Sequence, residues 1–329
     1  MSEVIPGIYQ LKVPIPNNPL GYLNAYLVQG DDGWLLIDTG WNEEASFQSL
    51  KQQLEQMGVG FNNITQIVIT HIHSDHYGLA GRIKKLTSAR LLIHKADTPF
   101  IQSRYVNYDD LMARMGKIFH LHGVPDPELP QFQGASLPVL GFVEPVWPDT
   151  MLQGGEVLST GRFNLQVIWT PGHSSGHVCL YEKDRKILFA GDHVLPVITP
   201  NISYHAESTA NPLKDYIGSL HEIESLPVDV VLPAHEHIYT GFKERIKAIL
   251  EHHETRMQAI LDTVRKDPRT AYDISGRIPW ETMGVPWEKV SAFTKRAAVT
   301  ETLAHLFSME ADGIVKRIQS NSLVSWLAK

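Results

Sequence analysis

The stretch from Ile64 to Gly81, ITQIVITHIHSDHYGLAG, constrains this chain more than any other, because the remaining informative residues make sense as completions of it. ITQIVIT is a β-branched run of strand type, and the glycines at 78 and 81 with the following GRIKKL predict a helix, so HIHSDHY falls in a strand-to-helix turn. That is where α/β folds put chemistry. Within the turn, His71, His73, Asp75 and His76 are four potential metal ligands. A strand end followed by a tight turn can aim His71 and His73 at one point while Asp75 and His76 fall at a second point nearby. Imidazole with one hard carboxylate suits zinc, and two such points suit a two-metal site. The H-x-H fragment alone means little: His120 and His122 repeat it without a carboxylate at the right offset, and they read as packing or surface residues.

H-x-H-x-D-H directly after a buried strand resembles the motif of the metallo-β-lactamase superfamily, and the likeness extends over at least the first three-quarters of the chain. In that family the other ligands come from later loops, and matching loops are present. TPGHSSGHVCLY supplies His173, LFAGDHV supplies Asp192 and VVLPAHEH supplies His235, each after an apolar run. Carried over position by position, the resemblance puts His71, His73 and His173 on a first metal and Asp75, His76 and His235 on a second, with Asp192 bridging them. It implies an α/β fold, the four-layer αββα sandwich, with two Zn2+ as cofactors; Mn2+ or Fe2+ could occupy the same ligands. The implied activity is that of a dinuclear zinc hydrolase of the ester-bond class. A metal-bridging hydroxide is the nucleophile, with Asp75 and Asp192 as the catalytic carboxylates.

Composition narrows the setting. A chain of 329 residues, 43% hydrophobic, can bury a large core with room for a small second domain. The net charge of −7 argues against broad binding to nucleic acid or anionic membranes. MSEVIPGIYQ carries neither a basic nor an apolar leader region, and no apolar run is long enough to span a bilayer. A cytoplasmic protein with a small-molecule substrate and no membrane partner is the expectation. The single cysteine, Cys179, lies in apolar HVCLY and reads as a buried thiol.

In chain order, IPGIYQLKVPIP and LNAYLVQGDDGWLLIDTG read as strands, with DDG turning a hairpin. The second ends in Asp38-Thr39-Gly40, which resembles a recurrent motif of the superfamily; Asp38 is expected to orient a ligand loop without touching metal. Residues 42 to 58 place Phe47, Leu50, Leu54 and Met57 at helical spacing. From 96 to 146 an insertion rich in Tyr, Met, Phe and Pro is partly helical (DDLMARMGKIFHLHG) and partly loop (VPDPELPQFQGASLP); it reads as a lid over the substrate pocket. His177 is expected to be structural. Tyr77 and His193 beside the ligands, and Tyr204 and His205 in the polar loop ITPNISYHAESTANP, are the substrate-contact candidates.

Residues 1–245 thus form the expected catalytic domain and 246–329 a second one. Beyond Gly241 the pattern is a long helix or two, then helix, helix and a β-ribbon turned by Ala311-Asp312-Gly313, similar to the small winged-helix domain of some superfamily members. Residues 266–329 hold nine basic and seven acidic side chains, too even for a phosphate-neutralising face. A structural, homodimer-forming or pocket-covering role is favoured there over nucleic-acid binding. The absence of a tyrosine in DHVLP counts against a lactonase, and the bridging aspartate counts against the β-lactamases proper. A small ester, thioester or lactone is the expected substrate. A ribonuclease or phosphodiesterase is the alternative within hydrolases, and a nucleic-acid-binding regulator with a metal-sensing domain the alternative outside them.

Overall fold

A computed structural model describes residues 1–135, 140–280, 285–320 and 322–329. Part of the expected lid, residues 136–139, and residues 281–284 and 321 lie outside the described residues. Contacts divide the chain into two compact units: 1–106, 138–200 and 219–246 form the first, and 107–137, 201–218 and 247–329 the second.

In the first unit, β1 (Ser2–Ile5), β2 (Ile8–Pro14), β3 (Tyr22–Gln29) and β4 (Trp34–Ile37) are successively antiparallel. From β4 onward β5 (Ile64–Val68), β6 (Arg90–His94) and β7 (Thr150–Leu152) continue the same sheet in parallel. A second sheet runs in the order β12-β11-β10-β9-β8, built from β8 (Val157–Ser159), β9 (Asn164–Trp169), β10 (Val178–Glu182), β11 (Ile187–Gly191) and β12 (Val230–Pro233). Only β11 and β12 pair in parallel there.

The alternation of side chains along each strand sorts them into two cores. Tyr26, Val28, Leu35, Ile37, Val68 and Leu92 face Leu165, Val167, Leu180, Phe189 and Leu232 of the other sheet. Their neighbours Leu27, Leu36, Ile67, Leu91 and Ile93 point the other way, against helices. Strands covered on both faces read as unbroken apolar runs, which is why YLNAYLVQ is buried at six consecutive positions. Helix α1 (Glu44–Gln56) buries the stripe Phe47, Leu50 and Leu54 on that outer face. Gln53 of α1 docks on β2, accepting from the Lys12 N–H and donating to the Lys12 carbonyl, both at 3.0 Å. The short helices α2 (Ser74–Tyr77) and α3 (Ala80–Lys84) follow β5, and α4 (Thr98–Tyr105) follows β6.

The second unit holds α5 (Tyr108–Leu121) and α6 (Leu129–Gly134). Helices α7 (Pro212–Glu224) and α8 (Phe242–Thr263) carry residues of both units. The chain then forms α9 (Ala271–Ser275), α10 (Ala292–Ala311) and the antiparallel ribbon β13 (Val315–Ser320) and β14 (Leu323–Ala328). Leu111, Met115, Phe119 and Phe132 share one core with Ile260, Val264, Val299, Leu303 and Trp326. Two local expectations change. Residues 129–134, expected in a loop, are helical and bury Phe132 completely. Ala311-Asp312-Gly313 ends α10 and does not turn the ribbon: Gly313 takes φ +74°, and the Ile314 and Gly313 N–H groups return to Met309 and Glu310 carbonyls at 2.8 and 3.0 Å. No described helix is long and apolar enough to cross a membrane.

Candidate metal centre

The residues singled out in the sequence gather at the C-terminal ends of parallel strands in the first unit. Asp38 follows β4, His71 to His76 follow β5, Asp192 follows β11 and His235 follows β12, while His173 lies in the β9–β10 loop. Gly191 makes the approach of Asp192 possible: it has φ +51°, and a Cβ there would meet His177 Nε2 at 2.6 Å. Asp38 also takes a left-handed conformation, φ +60°, at a site where its carboxylate is fully engaged.

Two clusters result. His71 Nε2 and His173 Nε2 each lie 3.0 Å from His73 Nδ1. Asp75 Oδ2 lies 3.3 Å from His235 Nε2 and 3.8 Å from His76 Nε2. Asp192 stands between them, with Oδ2 3.5 Å from both His173 Nε2 and His76 Nε2, and Oδ1 3.4 Å from His235 Nε2. Nitrogens bound tetrahedrally to one zinc would be spaced by about 3.3 Å, so the donors suit a small divalent cation at each cluster. His76 Nε2, His235 Nε2 and Asp192 Oδ1 are buried without a hydrogen-bond partner, a costly arrangement unless a cation meets them.

The far side of each ring explains why the lone pairs converge. His76 Nδ1 donates to Asp38 Oδ2 at 2.8 Å, and His235 Nδ1 donates to the Tyr22 carbonyl at 3.2 Å. Thr70 Oγ1 donates to Asp38 Oδ2 at 2.8 Å and lies 3.2 Å from His71 Nδ1, whose N–H it can therefore accept. With the outer nitrogens committed as donors, Nε2 of His71, His76 and His235 is left with its lone pair inward. Burial, reinforced by the imidazoles of His76, His73 and His173, holds the His71 pKa well below the ordinary value. Burial acts in the same direction on His73, with His173 and Arg104 adding to it. Burial also opposes a charged His76, but the carboxylates of Asp192, Asp38 and Asp75 outweigh it and raise its pKa. Burial would raise the Asp192 carboxyl, yet His235 and His76 hold it low. This side of the site demands positive charge.

His71, His76 and His235 are buried, whereas His73, Asp75 and His173 are partly exposed, so the centre opens to solvent past those three. Of the substrate-contact candidates, Tyr77 is fully buried and its hydroxyl donates to the Val146 carbonyl at 2.6 Å. His193 is also fully buried, its ring 5.7 Å from that of His177. Tyr204 and His205 belong to the second unit, where the Tyr204 ring packs 4.4 Å from Phe307 and the His205 N–H donates to Ser208 Oγ at 3.0 Å. His177, expected to be structural, pairs through Nδ1 with Thr170 Oγ1 at 2.8 Å and accepts the Asp192 N–H at 3.1 Å. His120 is exposed beside Asp126, and His122 is buried and stacked on Trp326. Burial raises the Cys179 thiol to about 12, which excludes it as a nucleophile.

Sequence reasoning missed Asp97, Thr70 and Tyr105. Asp97 receives N–H and O–H groups from two ligand loops, and the hydroxyl of Tyr105 donates to the Ile72 carbonyl at 2.5 Å. The only sequence signal at Asp97 is Asp-Thr-Pro before a helix, which points to a helix cap, yet its side chain makes no capping bond.

An αββα sandwich with two His/Asp donor clusters at its strand ends defines a metal-dependent hydrolase architecture. The chain belongs to the metallo-β-lactamase superfamily, whose family model matches residues 18–235. It is similar over 99% of its length to the metallo-β-lactamase family protein TTHA1429 from Thermus thermophilus, at 30% identity, 100% of that chain and TM-score 0.85. A β-lactamase domain protein from Burkholderia ambifaria matches at 25% identity over 100% of this chain and 94% of that one, with TM-score 0.84. Among curated relatives, the probable metallo-hydrolase YqjP of Bacillus subtilis (strain 168) is 24% identical, covering 93% of this chain and 92% of its own. The human acyl-coenzyme A thioesterase MBLAC2 is 29% identical over 64% of this chain and 72% of its own.

Proposed function

We propose that the protein is a dinuclear zinc hydrolase that cleaves a small ester, thioester or lactone, with an acyl thioester as the first substrate class to test. The observation that carries the reading is the position of Asp192, whose two oxygens approach donors of both clusters at 3.4–3.5 Å. The similarity to a protein named as an acyl-coenzyme A thioesterase supports the choice of thioesters.

Two cations held here would supply Lewis acidity, lowering the pKa of a water molecule from about 15.7 toward about 7 and polarising the acyl carbonyl. His71, His73 and His173 would hold one cation, Asp75, His76 and His235 the other, and Asp192 both. The anionic Asp75 and Asp192 offset part of the positive charge in a largely buried site. Asp75 is the more exposed of the two: one oxygen faces His76 and His235, and the other accepts a hydrogen from the attacking water and orients it. Substrate enters past His73, Asp75 and His173, the partly exposed side. Asp38 and the Tyr22 carbonyl keep His76 and His235 in the tautomers that present Nε2 inward.

The test is a panel of acyl-coenzyme A thioesters, lactones, aryl esters and phosphodiesters assayed on the purified protein. The expected result is thioester or ester turnover that is lost on chelation and restored by zinc. Turnover of phosphodiesters alone, or of thioesters at an undiminished rate after complete metal removal, overturns the reading.

A further inference from the structure

Two buried carboxylates lie beside the donor clusters without belonging to them. Asp38 stands behind His76. Asp97, 1% exposed, leads into α4 and faces a different pair of loops. Its Oδ2 accepts from the Ile72 N–H at 3.1 Å and from Ser174 Oγ at 3.0 Å, and its Oδ1 accepts from the Gly176 N–H at 2.6 Å. Ile72 is the residue between His71 and His73, and Ser174 is the residue after His173. One carboxylate therefore ties together the two stretches of chain that bring three imidazoles to one point.

Helix α4 holds Ile72 from both ends. Asp97 at its start takes the Ile72 N–H, and Tyr105 at its end donates to the Ile72 carbonyl. Both backbone polar groups of the residue separating two metal-binding histidines are thus fixed by one rigid element, while Ile72 itself is fully buried. A carboxylate that served only to start the helix would bond its first-turn N–H groups, and Asp97 does not. Removing its oxygens would leave the Ile72 and Gly176 N–H groups without acceptors in a buried place, so the loops would have to move to satisfy them.

We propose that Asp97, with Tyr105, is the positioning residue of the His71/His73/His173 set: it fixes the separation of the two loops and so sets the affinity of that set for a divalent cation. The Asp75/His76/His235 set depends on Asp38 instead. The proposal rests on the two-cation reading above only in requiring that the three-histidine set bind metal.

Zinc affinities measured against a competing chromophoric chelator test it, using the full chain in three backgrounds. The native chain reports both sets, His235→Ala weakens the carboxylate-containing set, and His173→Ala weakens the three-histidine set. Adding Asp97→Ala is expected to weaken the three-histidine set by about 10- to 100-fold. Its effect on the other set is expected to stay within about twofold, since no bond joins Asp97 to Asp75, His76 or His235. Tyr105→Phe removes a single hydroxyl, keeps the ring, and is expected to weaken the same set by roughly 2- to 10-fold. It carries the test should Asp97→Ala fail to fold. Equal affinities in native and Tyr105→Phe chains, or losses that fall equally on both sets, overturn the proposal. A native chain that binds two cations but hydrolyses no substrate overturns the functional reading alone, and one that binds none overturns both.

Discussion

Among the described residues, buried or half-buried histidines meet in two places, one in each unit, and one of the two has the makings of a metal centre. In the first unit His71 and His173 each bring a nitrogen to 3.0 Å from His73 Nδ1; in the second, His253 Nδ1 of α8 and His305 Nε2 of α10 are 3.1 Å apart. Spacing does not tell them apart. What stands around the rings does. His305 Nδ1 donates to the Glu301 carbonyl at 2.8 Å, so its Nε2 accepts from His253, and the pair is a short hydrogen-bond chain between two helices. Among the described residues, no group of three potential ligands includes either ring. Around His71 and His76 the outer nitrogens are committed to Thr70 and Asp38, the inner ones converge, and Asp192 reaches donors of both clusters. Converging lone pairs backed by carboxylates, more than proximity of imidazoles, mark the site.

Four substitutions break or sharpen that contrast. The largest effect is expected from Asp192→Asn, which removes the carboxylate that approaches donors of both clusters: kcat/KM on the best substrate falls by about 10³-fold or more, and metal content falls with it. Next, Asp38→Ala frees the His76 ring and is expected to weaken metal binding or activity by about 10- to 100-fold without removing a ligand.

In the second unit the effects are on stability and leave metal content unchanged. Burial raises the Glu301 carboxyl to about 7, although Arg256 and Asn201 act to lower it. Between about pH 4.5 and 7 the folded chain keeps a proton that the unfolded chain has lost, so this group's contribution to stability declines as pH rises through that window and is flat above it. Glu301→Gln, neutral at every pH, is therefore expected to be more stable than the native chain at pH 8 by about 1–3 kcal/mol, with the difference closing below pH 5 in denaturant titrations. A native chain at least as stable as the variant at pH 8 contradicts this. The smallest effect is His253→Phe, which leaves His305 Nε2 without its donor and is expected to cost about 1–2 kcal/mol. Loss of bound metal in that variant would erase the distinction between the two histidine groups.

The candidate ligands could be picked out in the sequence because each sits at the end of an apolar strand run, and four of them fall within one turn; the structure brings them together in two clusters. IPGIYQLKVPIP, LNAYLVQGDDGWLLIDTG and ITQIVIT were likewise readable as strands from their apolar runs and turn residues, and they form β2 to β5. Asp97 and Thr70 were not legible, since their partners are backbone groups and side chains brought near only by strand order. The burial of Tyr77 and His193 was not legible either: closeness to a candidate ligand in sequence says nothing about which way a side chain points, and both are fully buried. Residues 96–146 read in the sequence as a lid over the substrate pocket, but the core neighbours of Leu111, Met115, Phe119 and Phe132 are buried residues from Ile260 onward, at a separation that no local pattern encodes.

Anomalous diffraction at the zinc edge from crystals of the zinc-loaded protein tests the central claim most directly. The account predicts two peaks. One should lie about 2.0–2.2 Å from the donor atoms of His71, His73 and His173, the other at that distance from Asp75, His76 and His235, with the Asp192 carboxylate within reach of both. A single peak, or two peaks that leave Asp192 uncoordinated, would contradict it.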